Sequence, residues 1–389
     1  MVIFDDIKYA GANDLKLDLF ESQYRVPQGM AYNSYVILDE KTAVMDTADA
    51  AVTDQWLLSV EAALAGRAAD YLVVTHMESD HSANIALFME RHPEAKIVSS
   101  AASFRMMVQF FGTDFAGRKV VVADKGELDL GSRKLVFFTA PMVHWPEVIV
   151  AYDTKRKVLF SADAFGKFGA VSDEQADDWV DEARRYYFGI VGKYGDQVQA
   201  LLKKLSGVDV QVICPLHGPV LRGDLGRYLK LYDTWSSYTP ETKGVFIAYT
   251  SVYGHTKEAA LLLQTKLQQA GVECVAADLS REDKAQCLAN AFRYDTLVLA
   301  STTYSMEVFP SMASFIHALA EHNYKKRRVA IIENGSWAPL AAKVMRAKLE
   351  KCEGLEFVPP QVTIKSALND ASRAKLDELA QELCRALAG

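Results

Sequence analysis

The chain has 389 residues, half of them hydrophobic and 24% charged, with a formal net charge of −7. That length and balance suit two globular cores and exclude a disordered, fibrous or small disulfide-bound protein. The acidic surplus argues against a nucleic-acid grip. No apolar run reaches the roughly 18 residues of a membrane span, and residues 1–6 show no leader, so a cytoplasmic chain is expected.

From about Val36 to His217 the apolar runs are short and rich in branched and aromatic residues. They begin at Tyr35, Tyr71, Leu135, Val158 and Val210 and read as buried or half-buried strands. Helical stretches such as Ala50 to Leu64 and Ser82 to Arg91 lie between some of them. Strands outnumber helices, which predicts a sheet sandwich with helices outside. From Gly244 onward the pattern becomes strict alternation. Apolar runs begin at Val245, Val272, Thr296, Val329 and Phe357, each followed by a helical period, the clearest being Thr256 to Ala270 and Ala371 to Leu387. Five βα units predict a doubly wound parallel sheet. The polar join Tyr238–Thr242 carries a proline, placing the domains at 1–240 and 244–389.

In the first half, potential metal ligands gather at strand ends. His76, Glu78, Asp80 and His81 follow the strand ending at Thr75; His144 follows the run ending near Ala140. Asp163 closes Val158–Ala162, and His217 closes Val212–Leu216. Four of the eight histidines in the chain belong to this set. Strand ends on a rigid sheet are where sites assemble. Four imidazoles and three carboxylates without a thiolate suit a pair of first-row metals sharing a bridging carboxylate. Two histidines and a carboxylate with open positions favour non-haem iron over structural zinc, while zinc hydrolysis stays chemically open. The five cysteines are scattered without a CxxC pair, which argues for reduced thiols and against a four-cysteine metal site.

The run His76-x-Glu78-x-Asp80-His81, followed by His144, Asp163 and His217, resembles the flavodiiron proteins. The resemblance implies a metallo-β-lactamase-like αββα sandwich. It assigns His76, Glu78 and His144 to one iron and Asp80 and His217 to the other, with Asp163 bridging. His81 is a position where some members turn the ring away. Ser79 and Ala83 stand where the family motif usually has proline and glycine.

In the second half, the strand Val245–Tyr249 runs into Thr250, Ser251, Val252, Tyr253, Gly254, His255 and Thr256 before a helix. Hydroxyls and backbone N–H groups at a helix N-terminus can cradle an anion. Two later strand ends, Ser301-Thr302-Thr303-Tyr304 and Asn334-Gly335-Ser336-Trp337, lie where open α/β sheets bind ligands, each with an aromatic able to cover a flat ring. This arrangement resembles the short-chain flavodoxins and implies FMN. The later loop is shorter than the family's usual Gly-Ser-x-Gly-Trp.

The flavodiiron resemblance implies an oxidoreductase holding FMN and two iron ions. It would reduce dioxygen to water, or nitric oxide to nitrous oxide, with no catalytic residue beyond the metal ligands. No four-cysteine module follows the second domain, so rubredoxin or a similar external donor is expected. A head-to-tail homodimer, or a dimer of such dimers, is expected as well, with no nucleic-acid or membrane partner. Two rival readings are a zinc-dependent hydrolase fused to a flavodoxin-like domain and a plain electron carrier. Glu78 in the third motif position opposes the first, and seven intact ligand positions oppose the second.

Overall fold

The computed structural model describes residues 2–172 and 179–389, and the chain divides into two compact units, Met1–Asp233 and Thr234–Gly389. The first unit holds a seven-stranded and a six-stranded sheet. The seven-stranded sheet runs Val2–Phe4, Ile7–Tyr9, Tyr35–Ile37, Ala43–Met45, Tyr71–Val73, Lys96–Ser100, Lys119–Val122 in spatial order. The six-stranded sheet takes its strands in chain order from Glu127–Asp129 to Leu221–Arg222. Alternate residues of the two sheets meet in one core: Tyr35, Ile37, Met45, Val73 and Val98 from the first, Phe137, Ile149, Ala151, Phe160 and Cys214 from the second. The strand period of two sends the intervening residues, among them Val36, Val44, Leu72 and Ile97, to the outer face, where they too are buried. On the outer side of the second sheet, Leu159 and Ile213 share a cavity with Leu202 and Leu205 of helix Gly195–Leu205 and with Leu225 and Leu229 of helix Leu225–Ser236. The sandwich with helices outside is therefore as expected.

The second unit is a parallel sheet in the order Glu273–Asp278, Thr242–Tyr249, Tyr294–Tyr304, Arg328–Asn334, then Glu356–Phe357. That order places the first strand beside both the second and the third, the switch point of a flavodoxin-like fold. Val245, Ile247, Val298, Ala330 and Ile332 pack with Leu263 and Leu267 of helix His255–Gln269 and with Leu376, Leu379 and Leu383 of helix Asp370–Ala388.

Local chemistry changes three of the expected elements. The helix expected over Ser82 to Arg91 is a short turn, Ser79–Ser82, followed by Ile85–Arg91. The fifth run of the second half is two short pieces, Glu356–Phe357 and Val362–Ile364, because Pro359 and Pro360 bring no N–H to the ladder. The third strand begins two residues early and runs on to Tyr304, where it pairs with Glu307–Val308.

Candidate metal centre and flavin cavity

The seven first-half candidates converge at one end of the sandwich. His76 and the short helix Ser79–Ser82 follow the strand Tyr71–Val73, Asp163 follows Val158–Phe160, and His217 follows Val212–Cys214. His144 stands in the connection between Lys134–Thr139 and Ile149–Asp153. Two groups form, His76, Glu78, His144 and Asp163 in one, Asp80, His81 and His217 in the other, the donor atoms of each lying within 4.8 Å of one another. All but the half-buried Glu78 are buried.

Asp163 joins the groups. Its Oδ2 lies 2.9 Å from His144 Nε2 and 3.4 Å from His76 Nε2, and its Oδ1 lies 3.3 Å from His81 Nε2 and 3.6 Å from His217 Nε2. Glu78 Oε2 is 3.0 Å from His144 Nε2, and Asp80 Oδ2 is 3.2 and 3.3 Å from Nε2 of His81 and His217. His81 faces inward with the others, its Nε2 3.0 Å from His217 Nε2.

Two of the outer ring nitrogens are held from behind. His76 Nδ1 is 2.8 Å from Glu147 Oε1, which also accepts from the Met77 N–H, and His217 Nδ1 donates to the Ala31 carbonyl at 2.7 Å. Asp46 accepts from the Thr75 backbone and hydroxyl at 2.6 and 2.7 Å and so fixes the turn into His76. Burial pushes its carboxyl up to about 6, against the pull of these hydrogen bonds. Inside the cluster burial disfavours charge everywhere, yet charge pairing outweighs it. His76 rises to about 9 on account of Asp163, Glu147 and Glu78, and His144 to about 10 on account of Asp163 and Glu78. Asp163 and Asp80 are held well below the usual carboxylate range by their histidines.

Glu147, Asp46 and Tyr186 did not stand out in the sequence. Asp46 carried the same signal as Asp163, an acid closing an apolar run, and Glu147 lies three residues beyond His144. Tyr186 carried none. Its ring is fully buried 5.5 Å from the His217 ring, just before the π-helical turn Tyr187–Val191, and its hydroxyl has no hydrogen-bond partner among the described residues.

In the second unit a cavity of about 680 Å³ lies at the strand ends. Eleven of the fourteen candidates line it: Ser251, Tyr253, His255, Thr256, Thr302, Thr303, Tyr304, Asn334, Gly335, Ser336 and Trp337. Thr250, Ser301 and Gly254 do not. Thr250 and Ser301 are buried and bond each other through their hydroxyls at 2.9 Å, tying the first strand end to the third. Gly254 forms the turn itself, with φ of 95°, and its N–H reaches Ser251 Oγ at 3.1 Å. The sequence reading omitted Ser366, whose N–H and carbonyl bond the Asn334 side chain at 3.1 and 2.9 Å. Tyr253 and Trp337 are 90% and 91% exposed, so each is free to lie against a planar ligand.

Comparison with known proteins agrees with this geometry. Residues 30–218 match the profile of the ODP family beta lactamases, and residues 246–357 that of a flavodoxin domain. The chain is 26% identical to the nitric oxide reductase of Moorella thermoacetica over 100% of this chain and 99% of that one. It superposes on the rubredoxin oxygen:oxidoreductase of Desulfovibrio gigas with a TM-score of 0.92 and 26% identity, covering 99% and 98% of the two chains. The chain belongs to the flavodiiron proteins. The flavodiiron protein of Giardia intestinalis shares the fold, with a TM-score of 0.90 at 24% identity.

Flavodiiron proteins are oxidoreductases whose cofactors are FMN and two irons, and both sites suit those groups. At the metal centre, both Asp80 oxygens, Asp163 Oδ1 and His81 Nδ1 are buried without a hydrogen bond among the described residues. Buried carboxylate oxygens without donors are costly, and cations would satisfy them. At the flavin cavity, hydroxyls and a helix N-terminus meet two exposed aromatic faces in a volume usual for cofactors. No described helix is long and apolar enough to cross a membrane.

Proposed function

We propose that this chain reduces dioxygen to water, or nitric oxide to nitrous oxide, with electrons entering through FMN from rubredoxin or a similar donor. The observation that carries the reading is Asp163. One carboxylate offers a separate oxygen to each of two imidazole–carboxylate groups, which a single hydrolytic zinc does not need. The printed activities of the Moorella and Desulfovibrio relatives support it.

A bound iron pair supplies open positions for a diatomic and the electrons that reduce it, and bound FMN passes those electrons on singly. The side chains divide the remaining tasks. His76, Glu78 and His144 would hold one iron, Asp80, His81 and His217 the other, and Asp163 would serve both. Glu147 and the Ala31 carbonyl fix the tautomers of His76 and His217, leaving each Nε2 lone pair turned inward. Phe20, Tyr32 and Trp145, with rings 5.3 to 5.8 Å from His217 or His76, exclude bulk water. Tyr186 keeps its proton beside the cluster, because burial, and then the carboxylates Asp163, Asp80 and Glu78, push its hydroxyl well above the usual phenol range. Among the flavin contacts, Ser251 and Thr256 receive the phosphate, while Tyr253, Tyr304 and Trp337 cover the ring. We propose further that two chains pair head to tail, so that the flavin of one serves the irons of the other, and that the protein works in the cytoplasm.

Metal and flavin analysis should find two irons and one FMN per chain, and anaerobic turnover with reduced rubredoxin should consume added oxygen or nitric oxide. Asp163→Asn and His144→Ala should abolish turnover and keep the flavin absorbance. One zinc without iron would overturn the reading in favour of hydrolysis.

A further inference from the structure

Beside the flavin cavity lies a second groove of about 600 Å³, between helices Pro310–Glu321 and Ala341–Leu349. Met306 lines both and is 61% exposed, so the two are continuous. Ala313, Ala320 and Ala347 give the groove a shallow floor of small side chains, with Leu340 and Val344 beside them. Its charge opposes that of the chain. Lys343, Lys348 and Lys351 line it against one carboxylate, Glu307, in a protein of net charge −7. Lys348 reaches Glu307 at 3.8 Å, and Lys343 and Lys351 have no ion pair among the described residues.

Helix electrostatics explain only part of this cluster. Lysines near a helix C-terminus, such as Lys348, complement the helix dipole. Lys343 sits in the first turn, where the field is positive and a cation is disfavoured, with no acid in that turn to offset it. Lys343 is exposed, so its charge is available to a partner outside the helix.

We infer that this groove is the docking site for an acidic electron-donor protein, seated so that its redox centre faces the flavin past Met306. The inference rests on the proposed entry of electrons through FMN from an external donor. The small-residue floor lets a partner surface approach closely, and the unpaired lysines steer an acidic one, as transient electron-transfer encounters require. An isolated small anion fits less well, because the groove is open and offers no cradle of backbone N–H groups. One electron passes per encounter, the donor being oxidised and the flavin reduced by one unit. Two encounters, with two protons from solvent, complete a two-electron reduction.

The test uses the full-length, flavin-loaded protein and the double variant Lys343→Glu/Lys351→Glu, both changes being on the surface. Zinc-substituted rubredoxin, a small acidic protein without redox activity, is titrated calorimetrically at low salt. Reduced rubredoxin is then mixed with each protein while flavin bleaching is followed. The wild type should bind, and its bleaching rate should fall steeply with added salt. The double variant should lose binding at least tenfold and show a flat salt dependence, with FMN content and dithionite reduction unchanged. Equal binding by both proteins, or no binding by the wild type, overturns the groove. So does a change of oligomeric state in the variant on gel filtration, which would make the groove an interface between copies. Binding that depends on the lysines without electron transfer leaves the groove standing and removes rubredoxin as the donor.

Discussion

Tyr186 brings an unsatisfied hydroxyl to a pocket walled by imidazoles and carboxylates. A buried tyrosine that has lost a real hydrogen bond costs about 1 kcal/mol, whereas this one has none to lose. Metal-free Tyr186→Phe should therefore be at least as stable as the parent in a urea melt, while turnover of the iron-loaded variant falls by roughly tenfold or more. A destabilised variant with full turnover would show a purely structural role. A second prediction follows from His76 near 9 and His144 near 10. Both rings hold protons at pH 7 in the metal-free chain, and a metal must displace them. Zinc uptake at pH 7 should release protons, measured by calorimetry in two buffers of different ionisation enthalpy. Metal affinity should climb with pH and level off near 10. The seven candidates that the fold gathers were legible because ionisable residues at strand ends have few structural reasons to recur. Tyr186 was not, since a tyrosine closing a charged, amphipathic helix looks like ordinary packing until its neighbours in the fold are known.

Elements were legible where their period had room to show. The strands and helices of the second unit run long enough to alternate cleanly, and the expected parallel sheet is found. The first unit begins with strands of two or three residues, such as Leu19–Phe20 and Tyr24–Arg25, too short to display a period of two. The loops after the third and fourth strands of the second unit depend on each other in a way the sequence hides. Thr303 Oγ1 accepts from the N–H groups of Leu340 and Ala341 at 2.9 and 3.0 Å and clips the later loop to the earlier strand. Gly335 is part of that fit, because a Cβ there would meet Pro339 Cα at 2.7 Å. Gly335→Ala should shift the loop at a cost of about 1–3 kcal/mol and weaken FMN by about tenfold. Flavin fluorescence titration would measure the loss, and iron content should not change. A variant that binds FMN normally would show that the loop yields without cost.

At the scale of the molecule, each unit closes its own core, and each candidate site is built from one unit alone. That separation makes complementation possible. A metal-dead chain, His144→Ala, is mixed with a flavin-dead chain, Gly254→Val in the turn that needs φ of 95°, under conditions of subunit exchange. If partners pair head to tail, one intact flavin then faces one intact metal centre and oxygen or nitric oxide consumption returns. If electrons travel within a chain, the mixture stays inactive. The order of the two domains was legible because ligand spacing and the hydroxyl-rich turn each belong to one fold. Pairing between chains was not legible in the residues themselves, since complementary surfaces leave no periodic trace in a single sequence.

Pro359 and Pro360 sit at the outer edge of the flavodoxin-like sheet, where the last strand is split into pieces of two and three residues. An unbroken strand there would offer a row of free N–H and C=O groups to any extended peptide. Two prolines and a gap remove that template. The same break that turns the fifth apolar run into two short pieces thus guards this flank against fibril-like stacking.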